Sequence, residues 1–219
     1  MPTKSSLGDK LLDLIIVILG ISIAFSLNKC QEARKQTQMI GFYVTNMIQE
    51  LDEDGLGLVH AIKDCEGDLE YLQLVDSLYR ANHPHVLDSL ARLILKVNNF
   101  NHYGINATSF NSIMTTGNVS LIRDLDLKTS MVNYYEYQSQ VDFGEEVFWN
   151  YLDDLNDFLN DKLIFNEARF TDERILEYTA MQNNIMKMAS SIGQKRRIYL
   201  VAQRRRDKLK DQIGDWIAD

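Results

Sequence analysis

The sequence predicts an all-α fold: an N-terminal transmembrane helix followed by an elongated helical bundle with coiled-coil-like long helices. Three observations predict it. The 219 residues include only 2 prolines and 11 glycines, so long stretches are free of helix breakers. The run LLDLIIVILGISIAFSLNK, Leu11–Lys29, carries a single charge, Asp13, before its terminal lysine. Beyond it, apolar residues recur at steps of three and four, the spacing of one helix face. Hydrophobic residues at 45% and charged residues at 25% are the balance of a folded chain rather than a disordered one.

Residues 1–10 read as a short polar tail and residues 11–29 as the membrane anchor. Within the anchor, Leu11, Ile15, Leu19, Gly20, Ala24 and Leu27 are the residues assigned to lipid contact. From Leu11 to Leu27 the helix would span roughly 26 Å, a little less than a hydrocarbon core of about 30 Å. Lys10 and Lys29 can snorkel to the interface and close that gap. Asp13 lies one turn from the edge, where a carboxylate stays hydrated, and Ser22 and Ser26 can bond back to their own helix. A soluble core helix would show a polar face, which this run lacks. Ser22-Ile23-Ala24 offers a small-x-small cleavage site, so a removed signal peptide is the rival reading; a bulky Lys29 opposes a lipoprotein site at Cys30. The uncleaved anchor is the stronger account. Positive residues flank both ends (Lys4 and Lys10, then Lys29, Arg34 and Lys35), so charge alone does not orient it.

Residues 36–219 are expected to form the helical bundle. Val44, Ile48, Leu51, Gly55, Leu58, Ile62, Cys65, Leu69 and Leu72 alternate steps of four and three, a heptad seam of about four heptads. The helix carrying it should run from near Gln36 to about Arg80, ending at ANHPH, where Pro84 disfavours helix at His83. Joined to the anchor it would make a rod of about 105 Å. Val44, Ile48, Leu51, Leu58, Ile62, Leu69 and Leu72 are the candidate interface for a protein partner or a second copy of the chain. A shorter helix is expected over Val86–Val97, then a polar break through Asn98–Asn106. A helix capped by Thr108 or Ser109 should close at Gly117. One long helix is expected from Asp126 to Leu163, a turn through IFNEARF, and a final helix or pair of helices from Asp172 to about Ile217.

Two stretches carry a resemblance. Asp13, Gly20, Ala24, Asn28 and Glu32 follow the order acidic residue, apolar run, G-x-x-x-A, then N-x-W-x-E and basic residues. That order resembles the N-terminus of a bacterial family of uncharacterised single-pass membrane proteins, a domain of unknown function, although Cys30 stands where the family has tryptophan. TSFNSIMTTGNVSLIRDLDLKTSMVNYYE, Thr108–Glu136, is similar to the family's small-residue turn, Leu-Ile pair and paired tyrosines, here Gly117, Leu121, Ile122, Tyr134 and Tyr135. The resemblance implies an anchor plus a helical body in the bacterial inner (cytoplasmic) membrane, and implies no activity. The body is assigned to the periplasmic side, the usual arrangement for a short tail and a large domain.

The net charge of −8 divides unevenly, +2 over residues 1–35 and −10 over the rest. An acidic body does not suit nucleic acid, and no nucleic-acid partner is expected. Cys30 and Cys65 are too few for a disulfide framework or a four-cysteine zinc site. His83 and His85 flank a proline without carboxylates at ligand spacing and read as a solvated loop; His60 and Asp64 read as a surface pair. LDEDGLG, Leu51–Gly57, departs from a calcium loop at its fifth and twelfth positions, Leu56 and Lys63 in this chain. Asp153, Asp157 and Asp161 share a helix face without the E-x-x-H partners of a bundle metal site. The aromatic cluster Tyr134, Tyr135, Tyr137, Phe143, Phe148, Trp149 and Tyr151 reads as bundle core. No phosphate loop, dinucleotide fingerprint, nucleophile elbow or H-E-x-x-H is present. No catalytic residue, metal or cofactor is therefore assigned.

One charge feature remains. Gly193–Lys210 has a balance of +7, with Arg196, Arg197, Arg204, Arg205 and Arg206 as its basic patch, whereas Gln36–Arg80 has −7. The patch could meet an anionic partner, but opposite charges on two long helices more often set their pairing inside one bundle. The expected function is a membrane-anchored helical interaction or scaffold protein without catalysis, bound to the bilayer through residues 11–29. The alternative is a sensory bundle that binds a small ligand.

Overall fold

The computed structural model describes residues 7–97 and 103–218, with the side chains of residues 7–13 and Val97 left aside. Six α-helices occur among them: α1 (Leu7–Arg80), α2 (Val86–Val97), α3 (Thr108–Thr115), α4 (Leu125–Tyr135), α5 (Gln138–Leu159) and α6 (Thr179–Ala218). A two-stranded antiparallel hairpin, β1 (Leu163–Ile164) and β2 (Arg169–Phe170), joins α5 to α6.

The apolar N-terminal segment and the first body helix are one element. Nothing between Lys10 and Arg80 breaks helix, and α1 runs unbroken for 74 residues, about 110 Å. Every described residue from Leu14 to Lys35 is exposed, and the most apolar window of the helix has none of its residues buried. Ser22 and Ser26 bond back to the carbonyls of Ile18 and Ser22, each at 2.8 Å. The buried core begins at Ile40.

Cross-contacts fix the topology. Running down from the far end of α1, Lys96 on α2 pairs with Asp68, Ser109 meets Glu50, and Asn118 reaches Met39. The chain turns at Gly117, whose φ of 71° suits glycine, and α4 and α5 climb back. α6 then descends beside α1, with Arg196 on Glu66 and Arg206 on Asp52. The body is therefore an up-down-up-down four-helix bundle. Its second leg is split into α2 and α3, with residues 103–107 irregular ahead of α3, and its third into α4 and α5. α6 packs on α1, α4 and α5.

Three local expectations are corrected. The single helix expected from Asp126 to Leu163 is two, parted at Glu136–Tyr137. α3 begins at Thr108, but the side chain that satisfies its first turn is Asn106, whose Oδ1 accepts from the Thr108 amide and hydroxyl. Asp172 accepts from the Arg174 amide and opens only a short 3₁₀ turn, Glu173–Glu177, before α6. The first part of the polar break, Asn98–His102, lies outside the described residues.

The seam is also corrected. Val44, Leu51, Leu58, Cys65 and Leu72 form one buried column as expected. The second column takes in Met47, Asp54, Asp68 and Val75, buried beside the expected Gly55 and Ile62, whereas Ala61 is only partly buried. Ile48 and Leu69 are only partly buried and flank the seam, while Ile62 is buried. All seven candidate interface residues pack in the chain's own core. The physical reason is that α6 and the second leg cover α1 from within the same chain, so this face is spent on intramolecular packing.

Candidate functional site

Polar side chains cluster inside the bundle beside the break in its second leg. An irregular segment exposes amide groups that a helix would have bonded internally, and burial makes each unpaired amide costly. Carboxylates from α1 and α5 supply the missing acceptors. Glu145 Oε1 accepts from the Tyr103 amide at 3.4 Å. Asp54 Oδ1 accepts from the Asn106 amide at 3.1 Å, and Glu50 accepts from the Ser109 amide at 3.1 Å and its hydroxyl at 2.7 Å. Gln138 Oε1 takes the Ile105 amide at 2.5 Å.

These buried acids need counter-donors, and the neighbouring helices provide them. Lys195 on α6 donates to Glu145 Oε2 at 2.9 Å, with the two side chains 1% and 2% exposed. Its ammonium also lies 4.1 Å from the centre of the Phe148 ring, a favourable cation–π position. The Tyr199 hydroxyl donates to Glu145 Oε1. On the other side, the Tyr134 hydroxyl donates to Asp54 Oδ2 at 2.6 Å, and Tyr103 reaches the Asp54 carbonyl. The rings of Tyr103 and Tyr199 meet edge to face at 5.5 Å, which joins the two halves into one network.

The electrostatics follow from burial. Desolvation pushes the Asp54 carboxyl above its usual range, more than its bonds to Tyr134 and the Asn106 amide pull it down. Burial lowers Lys195, against the opposing pull of Glu145, and raises Tyr134 and Tyr199 well beyond the ordinary phenol range. The Cys65 thiol is pushed up to about 12, again by burial, so it is a thiol rather than a nucleophilic thiolate at neutral pH. The network holds an irregular strap against the bundle core. Its groups bond to one another.

The sequence marks Tyr134 as bundle core but assigns no buried role to Asp54, Glu145 or Lys195, although a signal was present. Asp54 and Asp68 fall on the second seam column, Glu145 sits between Val141 and Phe148, and Lys195 sits between Ile192 and Tyr199. A charge at an apolar register position has to be paired inside. The basic patch is dispersed around α6. Arg196 binds Glu66 at 2.6 Å, and Arg206 binds the Leu51 carbonyl at 2.6 Å and Asp52 at 3.1 Å. Lys210 adds a second ion pair to Asp52 and holds that carboxyl below its usual range. Arg205 bonds the Asn133 carbonyl and lies over the Tyr137 ring, Arg204 bonds the Leu200 carbonyl of its own helix, and Arg197 is exposed. His83 and His85 are exposed in the top turn, with ring centres 5.3 Å apart. Asp153, Asp157 and Asp161 are exposed, and no group of metal-ligating side chains occurs among the described residues.

Two surface hollows lie at the ends of the bundle. At the far end, a cleft of about 660 Å³ opens between the 82–88 turn and the hairpin, lined by Tyr79, His83, Val86, Asp88, Phe170, Glu173, Leu176 and Glu177 among others. At the end from which the apolar segment departs, a groove of about 450 Å³ is lined by Ala33, Gln36, Thr37, Ile40, Ser120, Leu121, Arg123 and Trp216. No family model, curated protein or solved structure matches the chain.

Proposed function

We propose that the chain is a membrane-anchored helical interaction protein that holds its far end at a set height above the bilayer for a protein partner. The single observation behind this reading is the continuity of α1 from the exposed apolar segment to Arg80. A helix leaving the membrane at Lys29 carries Arg80 about 75 Å away. The anchor reading draws on the exposure of Leu14–Leu27, since a soluble core helix would be covered. The membrane is the bacterial cytoplasmic membrane and the body stands on its periplasmic side.

The partner surface is the far cleft, because the seam of α1 is already covered. The cleft combines apolar Tyr79, Val86 and Leu176 with acidic Asp88, Glu173 and Glu177, its lining arginine, Arg169, being paired with Glu167, and Met186 in the adjoining hollow is 72% exposed. A partner segment bearing apolar and basic side chains complements it. Catalysis forms no part of the role, since the buried acids and Lys195 are engaged in holding residues 103–109. A photocrosslinking residue at Met186 should trap one stoichiometric protein adduct in native membranes; an uncrosslinked chain overturns the partner reading. A phosphatase fusion at Asp219 reads the side, with activity expected in the periplasm.

The second reading, a sensory bundle, rests on the same cleft and an adjoining apolar hollow of about 220 Å³ beside Val75, Ile185 and Met186. A saturable thermal shift of the detergent-solubilised chain with a small molecule, lost on Leu176→Glu, would favour it.

A further inference from the structure

The anchor end of the bundle carries apolar side chains that the fold leaves uncovered. Leu125, the first residue of α4, is 72% exposed, Ile217 56% and Met114 44%. Trp216 and Leu121 are half-buried around the groove that they share with Ala33, Gln36 and Thr37 of α1. These residues come from four separate places: the end of α3, the turn below it, the start of α4 and the end of α6. They converge on one end of the body, and it is the end from which the apolar stretch of α1 departs.

Their height is set by α1. Ala33 and Thr37 lie about 9 and 15 Å beyond Leu27 by helical rise, and the polar layer of a bilayer leaflet is about 5–7 Å deep. Spanning helices tilt by about 20° on average, which lowers a neighbouring helix 8–10 Å away by about 3 Å. A tilt toward α6 therefore brings the Ala33 edge of the groove to about 6 Å from the end of the apolar run, within the headgroup layer, and Trp216 lines that same groove with Ile217 exposed beside it. Tryptophan is the residue that favours this layer, and Arg123 in the same groove can reach lipid phosphate.

We propose that this end of the bundle is a second membrane-contacting surface, on which Trp216, Ile217 and Leu125 rest in the headgroup layer of the leaflet where the anchor ends. The occupant is the lipid surface, because α1 itself delivers the groove to it. This inference rests on the anchor reading. It makes the tilt of the rod a property of the fold: the anchor supplies attachment, and the collar supplies orientation.

The test uses the full chain reconstituted into phosphatidylcholine nanodiscs with and without a nitroxide-headgroup lipid. The chain contains only two tryptophans, Trp149 and Trp216, so Trp149→Phe leaves one indole to report. If that variant fails to fold, the difference between wild type and Trp216→Phe gives the same signal. The expected result is that the headgroup label roughly halves Trp216 emission, and that Leu125→Glu with Ile217→Glu abolishes most of this quenching while incorporation persists. Incorporation without quenching overturns the collar and leaves the anchor standing, with the patch then free for a protein. Failure to co-elute with the discs overturns the anchor reading, and the collar with it.

Discussion

Lys195 and Glu145 sit where a heptad pattern asks for apolar side chains, and each is almost wholly enclosed. Removing one partner of such a pair leaves the other charge stranded, a loss of about 3–5 kcal/mol. Lys195→Met should therefore destabilise the chain by that order in denaturant unfolding, whereas adding Glu145→Gln to it should restore most of the loss. The glutamine oxygen still accepts from Tyr103 and Tyr199. Equal instability in the single and double variants would mean that packing, not charge, governs the site. Asp54 makes a separate prediction about pH. Its folded carboxyl titrates above the ordinary 3.8, so between that value and its folded pKa the native state holds more proton than the unfolded chain. Its contribution is complete below the unfolded value and is lost as pH rises through the folded one. Asp54→Asn, which keeps an oxygen for the Asn106 amide, should flatten the stability profile on that acid-to-neutral limb relative to wild type. Parallel profiles would remove Asp54 as the source.

At the scale of elements, the pairing of α1 with α6 separates arginines that look alike in the sequence. Arg206 is seated against Gly55, where any side chain would collide with its guanidinium, and it bonds the Leu51 carbonyl and Asp52. Arg206→Ala should cost about 1.5–3 kcal/mol, the scale of hydrogen bonds to charged groups, while Arg197→Ala should stay within about 0.5 kcal/mol. Chemical unfolding of the two variants side by side decides it. The opposite charges of the two helices were legible in composition alone, because flank charge and packing arise from the same register. The seam was half legible. Val44, Leu51, Leu58, Cys65 and Leu72 follow from apolar spacing, but the second column holds Asp54 and Asp68, and the heptad count passes over them for their neighbours Gly55 and Leu69. The break after α2 was legible as a polar run, but what holds it was not, because Glu50, Asp54 and Gln138 reach amides 33–59 residues away; the parting of α4 from α5 at Glu136–Tyr137 was not foreseen.

For the whole molecule, the question is whether the apolar N-terminal segment and the body move as one piece. α1 has no proline or glycine between Ala24 and Ile40, and its hydrogen-bonded ladder is continuous there, so bending has no local cause of the kinds that kink helices. A stiff rod turns an insertion into a displacement. Seven helix-forming residues placed between Lys35 and Gln36 add about 10 Å of rise and return the same face to within about 20°. The body would keep its fold, since every buried residue begins at Ile40 or later. The collar would be lifted clear of the headgroups, and nitroxide quenching of Trp216 should fall to the background of a chain lacking that indole. A second heptad should change nothing further. Quenching that survives the first insertion would show α1 hinging between Lys29 and Ile40, with the body following the membrane by its own affinity instead of being carried by the rod. The far cleft would then have no set height, and the reading of α1 as a spacer would fail together with the rigidity on which it depends.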